Sequence, residues 1–481
     1  LLPAVYEQAV YKGNRMRVAL VNSNRIKPPI APIGLEYVAE AVHAAGHEVA
    51  VLDLCWEEDW QSAIPRFFAN PSCGLIGVTL RNLDDCFYSS RESFLGGFCE
   101  MIKTIRAHAN APIVLGGVGF STAPEEVMRV GDADAGVWGD GEFPFVEIAN
   151  RIERNQDWFD VPNLVWKRDG EVKRNPVSYF SLNELPAMSR EWVDNRRYYC
   201  EGGQLGIETK RGCPKQCIYC ADPVSKGRRL RVRPPAAVVD ELERLLALGC
   251  NHIHTCDSEF NLPENHAKEI CKEIIRRNLG NRLRWYAYCS PTPFSRELAG
   301  LMRDAGCVGI NFGTDSGDAR MLKLLGRDYS ADDILTADRL CHDAGMAVMF
   351  DLLLGAPGET KASMTNTVEL MKRSRADRIG VALGVRVYPG TQLAAQLLNG
   401  NEKKGLVGGS NVFDPLFFLE PEVAPFAVSL IDQLIGDDER FFFFHPERKG
   451  TDYNYNANQK LVDAIQAGER GAYWDILRRC G

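Results

Sequence analysis

Short apolar runs alternate with segments of helical spacing through most of the chain. Met16 to Asn22 (MRVALVN), Glu48 to Leu54 (EVAVLDL), Gly74 to Leu80 (GLIGVTL), Pro112 to Leu115 and Ala135 to Trp138 read as buried strands. After the first of them, Leu35, Val38, Ala39 and Val42 share one helical face, and Gly46 ends that helix. Such alternation predicts an α/β fold whose first part, residues 1–152, is a Rossmann-like parallel sheet that binds ligands beyond its strands' carboxyl ends. Residues 153–200 read as a connector, with a hairpin turning at Asp169-Gly170. From Gln204 the alternation resumes, with strands at Leu205 to Thr209, His252 to Cys256, Leu283 to Ser290, Gly309 to Phe312, Met346 to Leu354 and Ile379 to Tyr388. These predict a partial (β/α) barrel over residues 201–400, with chemistry at the C-terminal strand ends. The pattern is less regular beyond, so residues 401–481 read as a small substrate-capping region in which Tyr453 to Asn456 could reach a substrate.

Composition narrows the function. A chain of 481 residues needs more than one core. A formal charge of -8 argues against nucleic acid as the main partner. The one dense basic run, Lys226, Arg228, Arg229, Arg231 and Arg233, reads as a solvated loop or an anchor for carboxylates and phosphates. The longest apolar runs, such as Phe441 to Phe444, are far too short for a membrane span, and no basic-then-apolar stretch opens the sequence. Scattered cysteines, 15 in all, fit a reducing compartment, and a cytoplasmic protein is expected.

The chemistry concentrates in Cys213, Cys217 and Cys220. Three thiolates in eight residues can hold three corners of a 4Fe-4S cluster and leave the fourth iron open. Zinc sites more often close with a second C-x-x-C pair, and none stands at the usual spacing downstream. The C-x-x-x-C-x-x-C spacing resembles the signature of the radical SAM superfamily, in which S-adenosyl-L-methionine (SAM) completes the open iron. That resemblance implies an adenine contact for Tyr219 and a position near the SAM amino group for Glu259. It places Asp315 and Ser316, in Gly313 to Gly317, near the ribose, with Asp315 where relatives carry glutamate. Gly355, in Gly355 to Glu359, would pass the adenine, Arg386 would pair with the SAM carboxylate, and Ser290 belongs to the same cofactor set. Each could instead be barrel-rim structure.

Loops at the ends of the first sheet are the other cue. They are Thr79-Leu80-Arg81-Asn82, Gly116-Gly117-Val118-Gly119 and Gly139-Asp140-Gly141-Glu142. Glycine lets backbone approach a large ligand, and no G-x-G-x-x-G follows the first strand, which makes a nicotinamide site unlikely. This arrangement is similar to the cobalamin-binding domain that precedes the radical SAM domain in one branch of the family. The resemblance assigns Thr79, Arg81, Asn82, Gly116, Gly117, Gly119, Gly139 and Glu142 to cobalamin. The loop after the first strand, Asn22 to Pro29, lacks the D-x-H-x-x-G that would ligate cobalt. Arg81 or Asn82 is then best placed against the corrin's lower face, unless Arg81 is tied to Asp84 or Asp85.

Together these readings imply a cobalamin-dependent radical SAM methyltransferase. It would move a methyl group from SAM through methylcobalamin to a carbon of a small molecule, with a reducing partner such as flavodoxin or ferredoxin. The alternatives are a radical SAM cyclase, oxidase or rearranging enzyme that uses cobalamin otherwise, and a sensor without turnover. Tyr286 and Tyr288 share one face of a barrel strand and are acid–base candidates, although packing explains them equally well. His252 and His254 share a face too, and core histidines are expected there rather than a metal pair. Whether Cys200 or another side chain closes the fourth iron stays open.

Overall fold

The computed structural model describes residues 15–69, 72–398, 404–443 and 458–480. Phe444 and Tyr453 to Asn456 lie outside the described residues. In the first sheet β1 (Arg17–Asn22), β2 (Glu48–Asp53), β3 (Leu75–Thr79), β4 (Ile113–Gly116) and β5 (Ala135–Val137) run parallel in the order β2-β1-β3-β4-β5. Strand order reverses between β1 and β3, which opens a crevice at their carboxyl ends. The Asp-Gly hairpin, β6 (Leu164–Arg168) and β7 (Glu171–Arg174), joins this sheet antiparallel at the β5 edge. Asp169 and Gly170 both take left-handed backbone there (φ 55° and 82°), the geometry a tight two-residue turn needs.

The second sheet begins with β8 (Leu205–Ile207). A short antiparallel pair, β9 (Lys210–Arg211) and β10 (Arg231–Val232), then brackets the cysteine loop. The barrel continues through β11 (His252–Thr255), β12 (Arg284–Cys289), β13 (Cys307–Asp315), β14 (Ala347–Leu354) and β15 (Arg378–Leu383). The sixth strand is shorter than the sequence suggests. Gly384 turns the chain at φ 79°, and β16 (Val385–Arg386) leaves to form a separate small sheet with β17 (Leu406–Val407) and β18 (Phe417–Phe418). A seventh parallel strand, β19 (Phe441–Phe443), joins β15, so part of the expected cap is barrel edge.

Period-2 alternation sorts the barrel side chains. Ile253, Ala287, Ile310, Phe312, Phe350 and Val381 face outward into the main core beneath the helices. Their neighbours face the lumen. At its amino-terminal end, Tyr286 and Met349 pack against Ala472 and Trp474, which the C-terminal helix Tyr473–Arg479 brings under the barrel. The chain's end therefore plugs the barrel floor. Burying Met349 alone, at 1% exposure, is worth about 1.5–3 kcal/mol.

Buried ion pairs fix the first sheet to the barrel. Arg190 lies between Glu36 (3.0 Å) and Glu241 (2.8 Å), and Arg233 also reaches Glu241 (2.7 Å). Arg231 pairs with Asp140, so two arginines of the basic run anchor carboxylates while Arg228 and Arg229 face solvent.

Candidate active site

The cysteine loop is held by its backbone. The Cys213 N–H donates to Gly227 O (3.0 Å) and the Ile218 N–H to Leu325 O (3.1 Å). Gly212 has φ 88°, and a Cβ there would stand 2.2 Å from Arg229 O, so glycine is required. Burial raises the pKa of all three thiols, that of Cys217 to about 11, and Cys220 feels the other two. Iron would have to drive their deprotonation. Among the described residues no three Cys, His, Asp or Glu side chains converge on a single metal ion. That donor set fits a cluster, whose corners lie apart, better than zinc. Cys200 is exposed on the helix Asn195–Gly202, beside Cys250 at the barrel's opposite end, and cannot serve the cluster. Both Cys213 and Cys217 feel the Glu259 carboxylate, itself raised to about 7 by burial, Cys213 together with Asp222 and Cys217 together with Asp315.

Beside the loop, the Tyr219 hydroxyl donates to Asp315 Oδ2 (2.7 Å) and accepts from Arg327 (2.7 Å), which also pairs with Asp315. Arg327 escaped the sequence reading because its loop carries no motif. Asp315 sits at a β-bulge with φ 58°. The Ser316 hydroxyl is engaged by Thr367 (2.9 Å) on the helix Lys361–Arg373. Gly355, with φ 88°, donates its N–H to Glu359 (3.1 Å), which closes that loop on itself. Ser290 keeps a buried, unpartnered Oγ.

Arg386 does not reach this site. Its guanidinium is spent on Asp84 (2.8 Å) and on the carbonyls of Val387 and Leu416, tying barrel to first sheet because Asp84 is fully buried and needs a cation. Asp84 is thereby lost to Arg81, which donates to Asn82 Oδ1 (3.3 Å) and lines the crevice. That crevice opens between the first sheet and the barrel, with Thr79, Gly116 and Gly139 on one side and Cys256 on the other. Space beside Gly116 is open, as a large ligand requires. Two neighbours are glycine for another reason. A Cβ on Gly117 would meet Leu80 O at 2.5 Å, and one on Gly119 would meet Asn82 N at 2.9 Å, so both serve the fit between loops. Glu142 faces the crevice but is held by Arg211 (2.6 Å).

Inside the barrel the two tyrosines part company. Tyr286 is buried in the floor and donates to Asp475 (2.7 Å), so it is structural rather than catalytic. Two residues on, Tyr288 is 39% exposed in the lumen, its ring 4.8 Å from that of His254. Asn311 is the register partner of Tyr288 on the next strand and of Met349 on the strand after it, where Asp351 stands two residues nearer the rim. His254 Nδ1 lies 2.8 Å from Thr255 O, and burial lowers its pKa to about 4. The neutral ring therefore donates from Nδ1 and offers Nε2 as an acceptor. His252, also lowered to about 4, meets Tyr199 and Asn251 instead, so the pair binds no common metal.

A crevice at the switch point of a parallel sheet, facing a barrel with a cysteine loop at its rim, sets two candidate cofactor sites side by side. Residues 207–371 match the Radical SAM superfamily and residues 20–149 the B12 binding domain. The chain is 35% identical to tryptophan 2-C-methyltransferase of Streptomyces laurentii, over 79% of this chain and 74% of that one. It superposes with TM-score 0.90, at 32% identity, on the radical SAM methyltransferase TsrM from Kitasatospora setae, solved with tryptophan and a SAM analogue, over 97% and 98% of the two chains. The cobalamin-dependent enzyme OxsB, at 15% identity and TM-score 0.69, shares the fold. The chain belongs to the cobalamin-dependent radical SAM methyltransferases. Its cofactors are a 4Fe-4S cluster, SAM and cobalamin, and no described helix is long and apolar enough to cross a membrane.

Proposed function

We propose that this methyltransferase acts on a ring carbon of tryptophan or a close amino-acid relative. The observation that carries the reading is similarity along nearly the whole chain to a protein solved with tryptophan bound. The lumen offers complementary chemistry. Met349 and Trp474 make an apolar floor, the Tyr288 ring a flat wall, and His254 Nε2 an acceptor for an indole N–H.

Cys213, Cys217 and Cys220 would hold the cluster, and the crevice around Gly116 and Arg81 would hold the corrin. When bound, these groups supply the methyl group and the chemistry of its transfer. Arg81 lines the crevice, and its guanidinium would face the corrin without serving as a cobalt ligand. Tyr219, Asp315 and Arg327 form a buried triad that fixes the wall beside the cysteine loop. The floor excludes water from below, so substrate and cofactors meet from above. Electrons would come from a one-electron carrier such as flavodoxin or ferredoxin. All 15 cysteines are free of disulfides, which supports a cytoplasmic setting.

The test is anaerobic incubation of the reconstituted chain with methyl-labelled SAM and tryptophan. Label should appear on the indole ring. Label that reaches another small molecule but never tryptophan would end this substrate assignment, and release of 5′-deoxyadenosine would mark a radical route.

A further inference from the structure

Most fully buried carboxylates in this chain are paired with cations, while Glu40 and Glu359 are held by hydrogen bonds alone. Asp84 has Arg386, Glu241 has Arg190 and Arg233, Asp257 has Lys210, and Asp315 has Arg327. Asp351 is different. It forms no ion pair among the described residues, and its Oδ1 is buried without a hydrogen-bond partner. On the adjacent strand, Asn311 is 5% exposed and its Oδ1 is orphaned too. Orphaned buried acceptors are rare in folded proteins, and two beside each other point to a missing donor.

Their position says where that donor comes from. Phe350 and Leu352 face the outer core, so Asp351 between them faces the lumen. One step down the strand, Met349 belongs to the floor. One step up, Leu353 packs in the cluster that includes Tyr219, beside the cysteine loop. Asn311, level with Met349 and Tyr288, and Asp351, two residues nearer the rim, thus span the space from the floor towards the cofactors, beside the Tyr288–His254 ring pair. Burial pushes the Asp351 carboxyl up to about 7, against the opposing pull of the Asn311 side chain beside it and with a smaller upward contribution from Asp315.

We propose that Asp351 and Asn311 form the subsite for the substrate's α-ammonium group. This rests on the amino-acid substrate proposed above. An ammonium brings three donors, no acceptor and one positive charge, so it can satisfy both oxygens and neutralise the carboxylate. An indole N–H brings one donor and no charge, and would leave the carboxylate unanswered. The subsite therefore selects amino acids over analogues without the amine, and turns the ring towards His254 and Tyr288.

Calorimetric titration of the reconstituted chain with L-tryptophan and with 3-(indol-3-yl)propionate, which lacks the amine, tests this directly. Wild type should bind tryptophan about 30-fold more tightly, the range of a charge-assisted hydrogen bond. Asp351→Asn should bring tryptophan to the level of the analogue while the analogue's Kd stays unchanged, and Asn311→Ala should weaken tryptophan alone by about 5-fold. The unchanged analogue shows that the variant chamber is intact. Tryptophan binding to Asp351→Asn as tightly as to wild type overturns the subsite, and so does equal weakening of both ligands, which marks a structural role. If wild type binds the analogue and rejects tryptophan, or binds neither, the amino-acid reading falls and the subsite with it.

Discussion

The two ends of the barrel hold the same kinds of side chain to opposite purposes. At the amino-terminal end, Tyr286 donates to Asp475, and His342 bridges Asp338 and Asp377 at 3.0 and 3.2 Å. Two residues along the same strand, Tyr288 is partly exposed in the lumen with its ring against His254, and on a neighbouring strand Asp351 has no cation among the described residues. At the floor, the Tyr286 hydroxyl and the His342 ring are paired with carboxylates and stabilise the fold. Above it, Asp351 keeps an unpartnered oxygen and no cation, which costs stability and leaves it for a ligand. For the carboxylates, pairing rather than residue type separates structure from function here.

The largest effect expected on that contrast comes from the rim. Changing Cys213, Cys217 and Cys220 together to Ala should remove iron and sulfide entirely and take methyl transfer to background, while the thermal transition of the cluster-free chain barely moves. The thiols make no ion pairs that the fold relies on. Metal analysis with far-ultraviolet circular dichroism checks both halves. Persistence of about four irons per chain would mean that other ligands hold the cluster.

Next in size is a pair of opposite pH effects. An unfolded histidine titrates near 6.5, whereas the bonds to Asp338 and Asp377 raise folded His342 to about 10. Its contribution to stability is therefore complete below about pH 6.5 and is lost as pH rises through about 10, at no more than about 1.4 kcal/mol per pH unit. For Asp351 burial raises the folded value from 3.8 to about 7, so its cost grows as pH climbs from about 4 to 7. Chemical denaturation at several pH values should show His342→Gln losing less stability than wild type between pH 7 and 10. Asp351→Asn should be more stable than wild type above pH 7, by on the order of 1–3 kcal/mol, and nearly equal to it at pH 4. A destabilised Asp351→Asn at pH 8 would mean that the carboxylate is a structural group like those of the floor.

Much of this architecture was legible in the residue pattern, and the misses share a cause. Both parallel sheets, the cysteine loop and the crevice follow from local periodicity, spacing and glycine-rich strand ends. Arg386 was misplaced because sequence cannot show that Asp84, 302 positions away, would claim its guanidinium. Phe441 to Phe443 read as cap because a three-residue strand carries too little period to announce itself. Gly117 and Gly119 were read as letting backbone approach a ligand, whereas the space a Cβ would need there is already taken by neighbouring backbone. Asn311 and Asp351 were passed over because each looks like an ordinary strand residue. Their significance lies in the partner they lack, which only packing reveals.

The finest test of the contrast uses one atom at two positions. Tyr286→Phe removes the hydroxyl that satisfies a buried Asp475 oxygen, though Arg479 also approaches that oxygen at 3.2 Å. The cost should be about 1–2 kcal/mol, read as a lower melting temperature with tryptophan affinity unchanged. At Tyr288 the hydroxyl belongs to a residue that is 39% exposed, and the phenylalanine variant should stay within about 0.5 kcal/mol of wild type. Its ring against His254 would persist, so any change should fall on substrate turnover or orientation. Equal melting points for the two variants, with turnover lost only in Tyr286→Phe, would invert the assignment. That result would make the floor, and not the level above it, the place where the substrate is held.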